Sequence, residues 1–131
     1  MTMTANQNGR APALAGTTVL IIEDEALVAL DLALVLRDLG CIVLGPAGDS
    51  IQALALLRRQ RPDAVLLDLG LRDGFVLSLV EALAADDLRY ILMTTGYDCE
   101  QLEPALRQAP RLDKPYGQGE LRRALLLALG R

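Results

Sequence analysis

Five short apolar runs alternate with longer segments of helical spacing, and this alternation limits what the chain can become more than any single motif does. Thr17–Ile22 (TTVLII) is rich in β-branched residues and has no polar alternation, the pattern of a strand covered on both faces. Ala26–Leu39 follows with Leu27, Leu30 and Leu34 at helical spacing, and Gly40 stands where a helix ends. Cys41–Leu44 is a second strand. Gly45–Ser50 (GPAGDS) reads as a turn and cap, with Asp49 or Ser50 opening a helix to about Gln60 whose Leu54 and Leu57 point inward. Pro62 ends that segment, and Ala64–Leu67 is a third strand finishing at Asp68. Phe75–Ala85 is helical, Tyr90–Thr94 a fourth strand, and Asp98–Gln108 a weaker helix limited by Pro104. Leu112 and its neighbours give a fifth strand, and Glu120–Leu129 a closing Leu-rich helix. Residues 1–16 are small and polar and read as a flexible tail, leaving 17–131 as one folded domain. Repeated strand–helix units imply a parallel sheet with helices on both faces, which binds its ligands beyond the carboxyl ends of the strands.

The residues at those ends are chemically matched. Glu23, Asp24 and Glu25 follow the first strand, Asp68 the third, Thr95 and Gly96 the fourth, and Lys114 and Pro115 the fifth. If the first and third strands are neighbours, Glu23, Asp24 and Asp68 share one small volume. Carboxylates so placed repel one another unless a cation joins them. Oxygen ligands without His or Cys suit a hard ion, Mg²⁺ or Mn²⁺. Lys114 and a Thr hydroxyl on the opposite side complete a phosphate-sized pocket. Each residue alone also fits a plain role: Asp24 a helix cap, Asp68 a loop cap, Thr95 a turn residue, Lys114 a surface charge. The argument rests on four strand ends carrying complementary groups at once.

Composition removes several classes. The chain has no His, which excludes His-ligated zinc, Ser–His or Cys–His nucleophile pairs and a phosphohistidine of its own. Its net charge of −4 argues against a nucleic-acid surface. Cys41 and Cys99 form neither a CxxC site nor a disulfide framework. Charges interrupt every apolar run well before the ~20 residues of a membrane span. No basic-then-apolar leader pattern opens the sequence, so the expected address is the cytoplasm.

In order, VLIIEDE (Val19–Glu25), AVLLDLGL (Ala64–Leu71), MTTG (Met93–Gly96) and LDKPY (Leu112–Tyr116) resemble the receiver domain of two-component response regulators. The resemblance runs from Thr17 to the C-terminus. It implies a five-stranded parallel sheet of order 2-1-3-4-5, Asp68 as phosphoacceptor, and Glu23 and Asp24 as its acidic pocket. It also implies that Thr95, rather than Thr94, and Lys114 contact the phosphoryl group, and that the Lys114–Pro115 bond is cis. The implied metal set is Glu23, Asp24, Asp68 and the Gly70 carbonyl around Mg²⁺ or Mn²⁺. The implied phosphodonor is a sensor histidine kinase or a histidine phosphotransfer protein, and the implied output is a protein–protein interaction.

Three departures stand out. Arg111 occupies the place of the usual switch aromatic, three residues before Lys114. Arg72 replaces a frequent Pro in the loop after Asp68. Thr94–Tyr97 (TTGY) is similar to single-domain receivers with a Thr-Gly-Tyr loop, in which Tyr97 becomes a candidate mobile element. The helix Ala26–Leu39 carries more Leu and Val than one buried stripe needs, so part of it is expected to face a partner; receivers use this helix against a kinase helical bundle. Surplus Leu126 or Leu127 suggests a homodimer contact. The sequence is expected to close on its fifth helix and to carry no output domain of its own. A phosphorylation-independent receiver-like interaction module is the alternative reading, supported by the missing aromatic. A haloacid dehalogenase-type phosphatase is disfavoured, because Gly70 stands where its acid/base Asp belongs.

Overall fold

A computed structural model describes residues 13–94, 104–107 and 109–131. The elements are β1 (Thr18–Ile22), α1 (Ala26–Asp38), β2 (Ile42–Ala47), α2 (Ser50–Arg59), β3 (Ala64–Asp68), α3 (Val76–Ala85), β4 (Tyr90–Thr94), β5 (Arg111–Asp113) and α4 (Gln118–Ala128), with a short 3-10 turn at Pro104–Leu106. That turn lies within the stretch expected to be a helix over Asp98–Gln108, most of which is outside the described residues. The strands form one sheet in the order β2-β1-β3-β4-β5, and every pairing is parallel.

Successive strand residues point to opposite faces, so the sheet divides the core in two. Val19, Ile21, Leu66, Ile91 and Met93 pack with Leu32 and Leu36 of α1 and with Leu121 and Leu125 of α4. Leu20, Ile22, Val65, Leu67 and Leu92 pack on the other face with Ala53 of α2 and with Leu79, Val80 and Leu83 of α3. Because both faces are covered, the strands read as unbroken apolar runs. Among the described residues, no helix is long and apolar enough to cross a membrane.

Three expectations need correction. The folded body begins before Thr17: Ala13–Gly16 form a turn, Leu14 is buried in the α1/α4 core, and Gly16 donates its N–H to the Gly40 carbonyl. The second strand extends past Leu44 through Gly45 and Pro46 to Ala47. Pro46 is tolerated there because β2 lies at the sheet edge and its register against β1 shifts between Leu20 and Ile22. Gly45 has φ +86, and a Cβ on it would meet the Ala47 N at 2.8 Å, so only glycine fits this step. On α2, Leu54 faces outward and Ala53 takes the buried position; Leu57 packs inward as expected, with Leu56.

On α1, part of the apolar surface faces solvent, as its excess of Leu and Val implied. Leu27, Leu30 and Leu34 are the outer face, 81%, 53% and 53% exposed, while Ala29, Leu32, Ala33 and Leu36 are buried. The small Ala29 and Ala33 share the sheet-facing side with Leu32 and Leu36, and the leucine stripe lies opposite. Gly40 (φ +92) ends the helix as expected, and Asp49 opens α2, its Oδ1 accepting from the Gln52 N–H at 2.8 Å.

Candidate functional site

β1 pairs with β2 on one side and β3 on the other, so the chain reverses its direction of growth at β1/β3. The crevice beyond these two strands is where an open parallel sheet leaves room for a ligand. Glu23 and Asp24 leave β1 there and Asp68 ends β3, and each offers a carboxylate oxygen within 4.8 Å of the others. The convergence inferred from strand ends is therefore present.

Glu23 is the most enclosed of the three. Its Oε2 accepts from the Glu25 N–H at 3.1 Å and its Oε1 from the Lys114 ammonium at 3.1 Å. Burial pushes its carboxyl above the usual carboxylate range, and contact with the Asp68 carboxylate adds to this; the Glu25 N–H and Lys114 oppose it. Asp68 is also buried, and its Oδ1 accepts from the Gly70 N–H at 3.0 Å with the Lys114 Nζ at 3.7 Å. Lys114 thus spans the two acids. Asp24 sits nearer the surface, its Oδ2 accepting from the Arg72 N–H at 3.0 Å and lying 3.5 Å from the Arg72 Nε.

Lys114 is placed by the sheet. Its N–H donates to the Thr94 carbonyl at 2.7 Å, and the preceding Asp113 accepts from the buried Thr94 hydroxyl at 2.5 Å. The Thr94 hydroxyl is therefore committed to Asp113. Thr95, together with the Gly96 and Tyr97 that complete the loop signature, lies outside the described residues. The Lys114–Pro115 bond is cis, as the resemblance implied, and so is Gly45–Pro46. Arg111 lies in β5 with its side chain half-buried.

Several contacts had no signal in the sequence. The Thr94–Asp113 bond follows from strand register, in which these two residues are direct partners. Asp73 joins the loop after β3 to α2, accepting from the Ser50 N–H at 2.7 Å and from the Phe75 N–H at 3.0 Å. Tyr116, next to the cis bond, turns its hydroxyl to the Met93 sulfur at 3.6 Å beneath the site. Burial, then the charges of Glu23, Asp31 and Asp68, push this phenol up to about 12 from an ordinary 10.0. The folded chain thus holds a proton that the unfolded chain releases above pH 10, so stability drains away between about pH 10 and 12. Tyr116→Phe is expected to flatten the alkaline limb of a melting-temperature profile; an unchanged limb would show the phenol to be freely solvated.

Beside Lys114, a cleft of about 250 Å³ runs between α1 and the start of α4, lined by Val28, Asp31, Tyr116 and Gln118. Leu127 of α4 is exposed, as one of the two expected positions, whereas Leu126 is partly covered. Arg58, Arg59, Arg61, Arg122 and Arg123 all face solvent.

Comparison with known proteins agrees with this geometry. The chain is 35% identical over 118 residues to the transcriptional regulatory protein PdtaR of Mycobacterium tuberculosis, covering 86% of this chain and 57% of PdtaR. It therefore spans little more than half the length of that relative. The solution structure of SdrG from Sphingomonas melonis superposes with a TM-score of 0.72 at 34% identity, covering 88% of this chain and 98% of SdrG. The receiver domain of the sensor histidine kinase PA1611 from Pseudomonas aeruginosa superposes with a TM-score of 0.73 at 28% identity, covering 89% of this chain and 100% of that domain; its structure has a magnesium ion coordinated in the active-site cleft. The response regulator receiver domain model matches residues 19–126. Five parallel strands in receiver order, an acidic crevice at their switch point and this match together make the chain a member of the response regulator receiver-domain family, the phosphoacceptor signalling domains of two-component systems.

Proposed function

We propose that Asp68 accepts a phosphoryl group from a phosphohistidine of a sensor histidine kinase or histidine phosphotransfer protein. The supporting observation is the placement of Lys114 across two buried carboxylates that lie within 4.8 Å of a third. Such a set of oxygen ligands fits a hard divalent ion. Glu23, Asp24, Asp68 and the Gly70 carbonyl are the residues that would hold Mg²⁺, or Mn²⁺ in its place. Bound there, the ion supplies positive charge beside the transferred phosphoryl group.

Phosphoryl transfer has a loose transition state, so the work of the protein is positioning and charge neutralisation. The Gly70 N–H and Lys114 both address Asp68 Oδ1, and Oδ2 is the oxygen assigned to attack phosphorus. The new O–P bond forms as the P–N bond to the donor imidazole breaks, and the departing nitrogen keeps the electron pair. Lys114 then has a phosphoryl oxygen to pair with in place of Glu23. Thr95 is assigned a further phosphoryl oxygen by the family motif. Water later attacks phosphorus, returning Asp68 and releasing inorganic phosphate; no reaction on an external substrate is assigned.

The exposed Leu27, Leu30 and Leu34 stripe fits the kinase or phosphotransfer helices as the docking face on α1, and Leu127 is the candidate homodimer contact. The output is the switched binding of a downstream protein in the cytoplasm. Arg111 in place of the switch aromatic favours one other reading, a receiver-like module that binds its partner without phosphorylation.

Incubating the chain with acetyl phosphate and Mg²⁺, followed by intact-mass measurement, separates the two. One phosphate adduct that disappears with EDTA supports the phosphoacceptor. A chain that binds Mg²⁺ yet gains no phosphate belongs to the second reading.

A further inference from the structure

The loop after β3 carries a cation of its own to the acidic site. Arg72 places both its N–H, at 3.0 Å, and its Nε, at 3.5 Å, on Asp24 Oδ2. The guanidinium lies above the crevice, its side chain 77% exposed, while the Asp24 side chain is only 17% exposed. Lys114 is shared between Glu23 and Asp68 from within. Among the described residues, Arg72 is the cation paired with the third carboxylate.

We propose that Arg72 is a built-in competitor of the divalent ion: its guanidinium serves as the counter-ion of Asp24 when the site is empty of metal and is driven off when a cation binds. This inference rests on the reading of Asp24 as a metal ligand. Two positive groups drawing on one carboxylate weaken each other, and the coupling is reciprocal. The backbone N–H of Arg72 is a neutral donor and stays on Oδ2 in either state, so the antagonism belongs to the side chain. Because the guanidinium is largely solvated, the coupling has the size of an exposed ion pair, about two- to fivefold in affinity. The loop carries the effect onward, since Asp73, the next residue, holds the first N–H of α2. Arg72 thus sets the cation concentration at which the site fills.

The test is a Mg²⁺ titration of the full chain by calorimetry, repeated on Arg72→Gln, Arg72→Lys and Arg58→Gln. Arg58 sits in the last turn of α2, at the opposite end of the sheet from the crevice, and its loss removes the same charge. Arg72→Gln is expected to bind Mg²⁺ about two- to fivefold more tightly at low salt, Arg72→Lys to return towards the parent value, and Arg58→Gln to match the parent. In about 1 M NaCl, where the screening length falls to about 3 Å, the Arg72→Gln advantage should vanish. In the parent protein the Arg72 Nε–H resonance should move on addition of Mg²⁺. Unchanged or weaker binding by Arg72→Gln, an equal gain in Arg58→Gln, or a stationary Nε–H signal each overturns the competition. Failure of the parent chain to bind Mg²⁺ at all instead overturns the metal-ligand reading on which it rests.

Discussion

Asp68→Asn is expected to abolish phosphate uptake from acetyl phosphate and, at the same time, to raise the melting temperature of the metal-free chain. The two effects have one origin. In the absence of a divalent ion, Glu23, Asp24 and Asp68 crowd their carboxylates within 4.8 Å of one another, and the single ammonium of Lys114 is shared between Glu23 and Asp68. Replacing Asp68 by its neutral isostere keeps an oxygen for the Gly70 N–H, lets Lys114 pair with Glu23 alone and ends one repulsion. A gain of about 1 kcal/mol, several degrees in a domain of this size, is the expected scale. Addition of Mg²⁺ should reverse the ranking, because the parent is stabilised by mass action and the variant has lost a ligand. Thermal melts with and without Mg²⁺ read both signs. A variant that melts with the parent under both conditions would show that the three acids do not act on one another.

Lys114→Ala is expected to be strongly destabilising. It leaves Glu23 and Asp68 buried against each other without their shared cation, and breaking a pair of this kind costs roughly 3 kcal/mol when the remaining charges stay ionised. The loss depends on pH in a defined direction. Burial already lifts the Glu23 carboxyl above its ordinary 4.5, and loss of Lys114 lifts it further. A carboxyl raised in the folded state keeps a proton that the unfolded chain releases, so the penalty is absent below 4.5, grows as pH rises from there to the folded-state value, and is constant above it. The gap between variant and parent in urea midpoints should therefore widen from acid to neutral pH. A gap that stays constant would mean that Glu23 is not the group left unpaired.

The strands were legible because burial on both sides leaves no polar residue in them, as in Val19–Ile22 and Ala64–Leu67. The acids at their ends were legible for a related reason: a chain that ends two buried strands, adjacent in the sheet, on Glu23, Asp24 and Asp68 has nowhere else to put them. The inward face of α1 was not legible. Alanine and leucine compete for the buried side and hydrophobicity favours leucine, yet Ala29 and Ala33 share that side with Leu32 and Leu36. Leu14 was missed because one apolar residue among small ones carries no period. The GPAGDS stretch has turn composition, and only pairing with β1 makes Gly45–Ala47 a strand. At the site, Arg72 stood out merely as a replacement for proline; its reach to Asp24 depends on how the loop folds back over the crevice, which spacing does not encode. The Thr94–Asp113 bond likewise depends on a register between strands.

Both margins of the sheet are poor templates for a foreign strand. β5 is only three residues long, and β2 is broken by Pro46, which has no N–H to offer a newcomer, beside a register shift. Exposed leucines leave the helices open to side-on docking, while the short β5 and the Pro46 break in β2 disfavour growth of a fibre from the sheet borders. Crowding at high concentration should therefore yield reversible, salt-tolerant clusters of folded molecules rather than cross-β aggregates.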